Sequence, residues 1–250
     1  MFDTHCHLDE NDYENIDLVI KKMKNDFIIA SGYDTKSNKN VINLISKYPN
    51  IYGTIGIHPS EIKNVKEEDF LYLEENINNP KIVGIGEIGL DYHWDKDNKD
   101  EQKEVFIRQI KLAQKYSKPI VIHSRDAIEE TYEILVQYLK NTKASLHCYS
   151  GSYDMALKFK KLGIKFGIGG VLTFKNSQKL KEIVTKLELT DFLTETDSPY
   201  LSPEPFRGKT NEPFNVHIVA NNIAKLKNCK VEEVEKITTK NATELFNIKL

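Results

Sequence analysis

Apolar residues along this chain fall into short runs separated by stretches of helical spacing, and the alternation continues almost from end to end. Strands are predicted over 1–6, 27–31, 51–57, 82–87, 119–123, 144–148, 164–168 and 192–196. Between them, apolar positions recur at three- and four-residue intervals, as in Ile16/Val19/Ile20/Met23, Ile128/Tyr132/Leu135/Leu139 and Met155/Phe159/Leu162. The segment 101–117 sets Phe106, Ile110 and Ala113 beside Val105, Leu112 and Tyr116, one broad face made for burial. Eight strands, seven intervening helices and helical material after the last strand predict an α/β protein, a complete (β/α)8 TIM barrel. A doubly wound sheet is the rival. It would carry fewer parallel strands at this length, and no Gly-x-Gly-x-x-Gly follows the first strand.

No proline- or glycine-rich linker divides the 250 residues, so a single domain over 1–250 is expected. The seams at 58–65, 88–100 and 197–213 each follow a strand. The last is long and proline-broken, as functional loops on a compact scaffold often are. Helical spacing resumes at Val216/Val219/Ile223/Leu226, and Asn241 with Glu244 reads as a capping box for a short final helix.

Composition changes this picture little. Forty percent apolar and 29% charged residues suit a soluble globular chain, and a net charge of −2 excludes a strongly basic nucleic-acid coat without excluding a basic cleft. Cys6, Cys148 and Cys229 form no staple or Cys-x-x-Cys pattern, which fits a reducing compartment. No signal core or run of roughly 20 apolar residues is present, so a cytoplasmic protein with no membrane partner is expected. Only three of the 35 basic residues are arginine, Arg108, Arg125 and Arg207. Two of these stand in loops expected near the site, where a bidentate guanidinium would have a use.

The chemistry gathers at strand ends. Strand one ends with His5 and His7, whose i, i+2 spacing sends both imidazoles to one face. Glu87 ends the fourth strand, His123 the fifth, His147 the sixth and Asp197 the eighth. In a barrel these ends share the C-terminal mouth, so six residues remote in sequence would converge. Four histidines and two carboxylates can hold two divalent metal ions if one carboxylate bridges, and Glu87, midway among the strands, is the natural bridge. A glutamate in so apolar a strand needs a partner. Cys6 lies between the two histidines and points the other way, and no Gly-x-Ser-x-Gly elbow occurs, so a protein nucleophile is not expected.

Phe-Asp-Thr-His-Cys-His-Leu at 2–8, Gly-Ile-His-Pro at 56–59, Gly-Glu-Ile-Gly-Leu-Asp-Tyr at 86–92, Ile-His-Ser-Arg at 122–125, Thr-Asp-Ser-Pro-Tyr at 196–200 and Arg-Gly-Lys-x-Asn-Glu-Pro at 207–213 arrive in this order. Together they resemble the TatD family of metal-dependent deoxyribonucleases, within the amidohydrolase-like hydrolases. The resemblance implies that His5, His7, Glu87 and Asp197 hold one ion and that Glu87, His123 and His147 hold the other. It also implies magnesium as the usual metal, with manganese or zinc as occupants. Four imidazoles argue by ligand chemistry for manganese, zinc, nickel or iron over magnesium. The implied activity is 3′-to-5′ removal of nucleotides from single-stranded DNA ends. Asp197 would orient and deprotonate the attacking water, with Glu87 joining the two ions.

Around this set, His58, Arg125, Arg207 and Lys209 are candidate phosphate contacts, each with a structural reading beside it. Tyr92, His93 and Trp94 are aromatic candidates for stacking on a base or for packing the loop, with packing the expectation for Trp94. Ser150 and Ser152 read either as oxyanion donors or as an ordinary strand-to-helix turn. Two further functions stay open at this stage. One is an ester or amide hydrolase such as a deacylase of mischarged aminoacyl-tRNA. The other is a DNA-binding protein with a relict metal site.

Overall fold

Strands that are apolar on both faces need cover on both, and this chain provides it by returning through a helix after each strand. The structure is a computed structural model and describes residues 1–93 and 97–250. Its strands are β1 (Phe2–Cys6), β2 (Phe27–Ser31), β3 (Ile51–Ile55), β4 (Ile82–Asp91), β5 (Ile120–Arg125), β6 (Ala144–Leu146), β7 (Lys165–Ile168) and β8 (Phe192–Thr194). They pair in parallel and in chain order, β1 to β8. Helices α1 (Ile16–Lys22), α2 (Thr35–Lys47), α3 (Glu67–Asn76), α4 (Lys99–Lys115), α5 (Ile128–Tyr138), α6 (Tyr153–Lys161) and α7 (Gln178–Lys186) fill the connections, and α8 (Val216–Lys227) and α9 (Val231–Phe246) follow. This is the expected (β/α)8 barrel. Among the described residues, no helix is long and apolar enough to cross a membrane.

The seam between β1 and β8 is closed largely by side chains and by the segments just beyond the strands. Thr4 Oγ1 donates to Thr194 O at 3.0 Å, and Thr194 Oγ1 donates to Phe2 O at 3.0 Å. Buried Asp3 accepts from Thr196 N at 2.9 Å and from Thr196 Oγ1 at 2.5 Å. Above it, Asp197 N donates to His5 O and His7 N donates to Ser198 O. The N-terminal end of the barrel is plugged by Phe2, Ile29, Val83, Val121 and Leu193, against which α9 packs Ala242, Leu245 and Phe246.

Several boundaries depart from the expectation. β4 runs four residues past 87, because Ile88, Gly89, Leu90 and Asp91 pair with Ile122, His123, Ser124 and Arg125. Pairing with β5 overrides the low strand propensity of a Gly- and Asp-containing segment. The register shifts between Ile85 and Ile88, so Gly86 and Glu87 occupy a bulge. β6 and β8 are short, which leaves His147 and Asp197 just beyond them. The chain turns out of the barrel there through left-handed residues, Cys148 (φ 45°) and Asp197 (φ 54°), a conformation aspartate tolerates better than most. Asn241 caps nothing. It lies inside the 16-residue α9, buried, with Nδ2 donating to Leu189 O and Phe192 O. The true turn is at Lys230, which carries no cap-like side chain to mark it. Ser152 is the N-cap of α6, accepting from Met155 N, so it makes the ordinary strand-to-helix turn at that position.

Two expectations follow. Gly89 has φ 147°, and a Cβ there would lie 1.9 Å from His123 O. Gly89→Ala should destabilise the fold by about 3 kcal/mol, read as a fall of roughly 6–12 °C in a thermal melt. At the barrel's other end, Asp26 accepts from the Met1 ammonium at 2.7 Å and lies 2.9 Å from His217 Nε2 on α8. The hydrogen bond to Asp26 raises His217 above its ordinary 6.5. A raised imidazole stabilises the fold fully below pH 6.5 and loses that contribution as pH climbs through its folded value. The stability gap between wild type and His217→Gln in urea should therefore narrow from pH 5.5 to about pH 8.5; a gap that widens would refute this.

Candidate metal centre

The strand ends that supply site residues present side chains their neighbours hold in place. Ser31, at the end of β2, anchors both first-strand histidines: its hydroxyl meets His5 Nδ1 at 3.1 Å and its carbonyl accepts from His7 Nδ1 at 3.0 Å. On β4, Asp91 Oδ2 accepts from His123 Nε2 at 3.0 Å. At the far end of the long loop, Asn211 donates to Thr196 O and Tyr200 O while its N–H reaches Pro199 O, clamping the Asp197 turn.

Glu87 sits at the centre, 3% exposed, with its two oxygens facing different nitrogens. Oε2 lies 3.3 Å from His5 Nε2 and 3.4 Å from His7 Nε2. Asp197 Oδ1 is 3.6 and 3.7 Å from the same two nitrogens. Oε1 lies 2.8 Å from His123 Nδ1, 2.7 Å from His147 Nε2 and 3.4 Å from His58 Nε2. The nitrogen and carboxylate atoms fall into overlapping groups with the spacing of metal ligands. These include His5/His7/Glu87, His5/His147/Asp197 and Glu87/His123/His147.

The tautomers test whether cations fit. A backbone carbonyl only accepts, so His7 Nδ1 carries a proton, and a neutral His7 therefore turns a bare Nε2 toward a carboxylate oxygen. The same reasoning at Asp91 leaves His123 with a bare Nδ1 against Glu87 Oε1. His5 Nε2 is buried with no hydrogen-bond partner. In their neutral forms His7 and His123 thus set lone pairs against a buried carboxylate. That calls for positive charge between them, a proton or an ion, and the donor set fits divalent ions on both sides of Glu87.

Protonation carries the same message. Burial alone would depress His7, but the Glu87 and Asp197 carboxylates hold it up to about 9. His123 behaves alike: burial lowers it, and Asp91 with Glu87 raises it to about 9. Burial and the His147 imidazole push His5 down to about 3. Burial would raise Glu87, yet the histidines around it keep it well below the usual carboxylate range. Burial raises Asp197.

Above this floor opens a cavity of about 300 Å³, walled by His7, Glu87, His123, His147, Asp197 and His58 with Tyr33, Ser60, Glu61 and the exposed Tyr200. His58 thus stands in the cavity, its Nδ1 accepting from Ser60 N. The other substrate candidates do not line it. Arg125 ends β5 with its side chain exposed. Arg207 lies exposed, its guanidinium 3.7 Å over the Phe174 ring, and exposed Lys209 lies 6.0 Å over Phe206. Tyr92 is buried, its hydroxyl donating to Glu130 and its ring beneath the Lys99 ammonium, so it packs the wall and does not face the cavity. His93 pairs with Asp126, and Trp94 lies outside the described residues.

Three buried acids at the site were not anticipated. Asp91 orients His123, and it was hidden because β4 was expected to end at Glu87; its i+4 spacing from Glu87 on one strand was the available signal. Asp3 shares the parity of His5 and ties β1 to the Asp197 turn, and burial pushes its carboxyl up to about 8. Glu195 lies 1% exposed beside His147, and burial drives it well above the usual range. An acid two residues before Asp197 in an apolar run was the clue.

Residues 2–247 match the family described as TatD related DNase. The chain is 42% identical over 253 residues to the uncharacterized metal-dependent hydrolase YabD of Bacillus subtilis (strain 168), covering 99% of each. It is 34% identical over 259 residues to the uncharacterized metal-dependent hydrolase YcfH of Escherichia coli (strain K12), covering 99% of this chain and 96% of that one. The crystal structure of YjjV, a TatD homolog from Escherichia coli K12, is similar with a TM-score of 0.93 at 27% identity. That match covers 100% of this chain and 98% of YjjV.

Because His7 and His123 stand near 9 in the metal-free protein, both carry a proton at pH 7 that an incoming ion must displace. Zinc titrated by calorimetry in buffers of different ionisation enthalpy should release about two protons per chain at pH 7, and far fewer at pH 9.5. Release that does not fall with rising pH would exclude these imidazoles as the displaced groups.

Proposed function

The chain belongs to the TatD family of metal-dependent hydrolases, and from that premise we propose that it hydrolyses phosphodiester bonds of DNA, removing nucleotides from single-stranded 3′ ends. The observation that carries the reading is Glu87, one buried carboxylate whose two oxygens address two separate sets of imidazoles beneath an open cavity. In this reading His5, His7, Glu87 and Asp197 would hold one divalent ion, and Glu87, His123 and His147 would hold the other, with magnesium, manganese or zinc as occupants. When bound, such ions supply Lewis-acid polarisation and neutralise charge on phosphoryl oxygens.

The chain's own residues do the rest. Asp197, in the wall of the cavity, orients the attacking water and takes its proton as general base. His58 differs from the ligands. Its Nδ1 lies 3.1 Å from Ser60 N and 2.8 Å from Ser60 Oγ. Where it accepts from that N–H, a neutral ring carries its proton on Nε2, which stands beside Glu87 Oε1 on the cavity wall. That donor serves a phosphoryl or leaving oxygen. Tyr200, 59% exposed at the cavity's edge, offers a ring face to a terminal base. Arg125, Arg207 and Lys209 lie farther out, where they suit phosphates beyond the scissile bond and leave the reacting one to the floor. A protein confined to the cytoplasm would meet such DNA ends directly.

Mass spectrometry of products from a single-stranded oligonucleotide should show mononucleotides accumulating from the 3′ end. Free amino acid released from aminoacyl-tRNA, with DNA untouched, would replace this reading with the deacylase. Asp197→Asn keeps an acceptor but removes the base, and should lower kcat by about 10²-fold or more while oligonucleotide binding persists. Near-wild-type kcat in a metal-replete assay would remove Asp197 from the role of base.

A further inference from the structure

His147 has one ring nitrogen with no assigned task. Its Nε2 faces Glu87 Oε1 at 2.7 Å and His123 Nδ1 at 3.1 Å, while its Nδ1 is buried without a hydrogen-bond partner. In the metal-free site Nε2 can keep its proton and donate to Glu87 Oε1. A ligating nitrogen cannot, because its lone pair is engaged, so an ion on that side moves the proton of a neutral ring to Nδ1. A buried N–H with nothing to accept it is costly.

Glu195 faces that nitrogen. Its Oε1 lies 3.9 Å from His147 Nδ1 and accepts from Cys148 N at 2.5 Å, which fixes the carboxyl beside the His147 turn. Behind it, a Cβ at Gly167 would sit 2.0 Å from Glu195 Oε2, so the carboxyl fills the space a side chain on β7 would need. From 3.9 Å, an approach of about 1 Å brings it into hydrogen-bond distance of His147 Nδ1.

We propose that Glu195 is a positioning residue that accepts the Nδ1–H of His147 when an ion is bound, fixing the tautomer and the plane of that ligand. Such an outer carboxylate typically changes metal affinity about 10–100-fold. The inference rests on Glu87, His123 and His147 being ligands.

Zinc alone is the probe. In the zinc-loaded wild-type protein with ¹⁵N-labelled histidine, long-range ¹H–¹⁵N spectra should show His147 protonated at Nδ1. Calorimetry on Glu195→Ala should show one of two zinc sites weakened about 10–100-fold, with the other unchanged. Glu195→Gln, which keeps the accepting oxygen, should recover most of that affinity. A wild-type His147 protonated at Nε2 in the loaded state overturns the proposal, whether or not the alanine variant folds. Unchanged affinity in Glu195→Ala overturns it too, as does equal weakening of both sites that glutamine fails to restore. If wild-type protein binds no zinc at all, the ligand reading itself fails, an outcome distinct from these.

Discussion

Burying a carboxylate among imidazoles whose bare nitrogens point back at it is the demand around which this barrel is arranged. Glu87 is nearly inaccessible, and so are His5, His7 and His147. Without positive charge between them the site would be an accumulation of desolvated lone pairs, which proteins avoid by protonation or by binding cations. Both answers are available here: His7 and His123 take up protons readily, and the same geometry accepts ions in their place. A centre of this kind is stabilised by metal and sensitive to acid for one reason, competition between ion and proton for the same nitrogens.

That demand explains features of the scaffold which packing alone would not. The β4 bulge lets Glu87 depart from simple strand alternation, and Gly89 allows β4 to approach His123 closely enough for Asp91 to reach its ring. The β1/β8 seam is bound by Asp3, Thr4, Thr194 and Thr196, where a plain apolar seam would have been cheaper to desolvate. Those hydrogen bonds hold His5 and Asp197 in register with each other. Asp3 is two residues from one and its partner Thr196 adjoins the other, so the seam is also the brace of the site.

The sequence displayed the barrel because eight apolar runs and the helices between them are local patterns, and local patterns survive without knowledge of the fold. The six converging side chains were legible for a related reason: residues such as His5 and Glu87 contradict the apolar context in which they stand. What stayed hidden depends on long-range pairing. β4 lengthens only because β5 lies beside it, and Asn241 looked like a cap until the carbonyls of Leu189 and Phe192 took its side chain. Tyr92 resembled a stacking platform in a loop, yet Glu130, 38 residues on, draws its hydroxyl into the wall. Buried acids that act through a neighbour, Asp91 and Glu195, leave only a faint trace in one sequence, since nothing local says which ring they will face.

The division of labour among the histidines is set by what each ring's other nitrogen touches. His7 gives its Nδ1 proton to a carbonyl and His123 its Nε2 proton to a carboxylate, so in the neutral form both turn a lone pair inward. His58 receives an N–H at Nδ1, so it turns a proton inward. On the proposed reading, three of the imidazoles around Glu87 are thereby sorted into two ligands and one donor by the contact each makes at its other nitrogen. In that reading, an acceptor such as a phosphoryl oxygen, arriving above Glu87, would meet a proton on one side and the place for cations on the other. That polarity is built into the barrel before any substrate enters, which is what preorganised electrostatic catalysis requires.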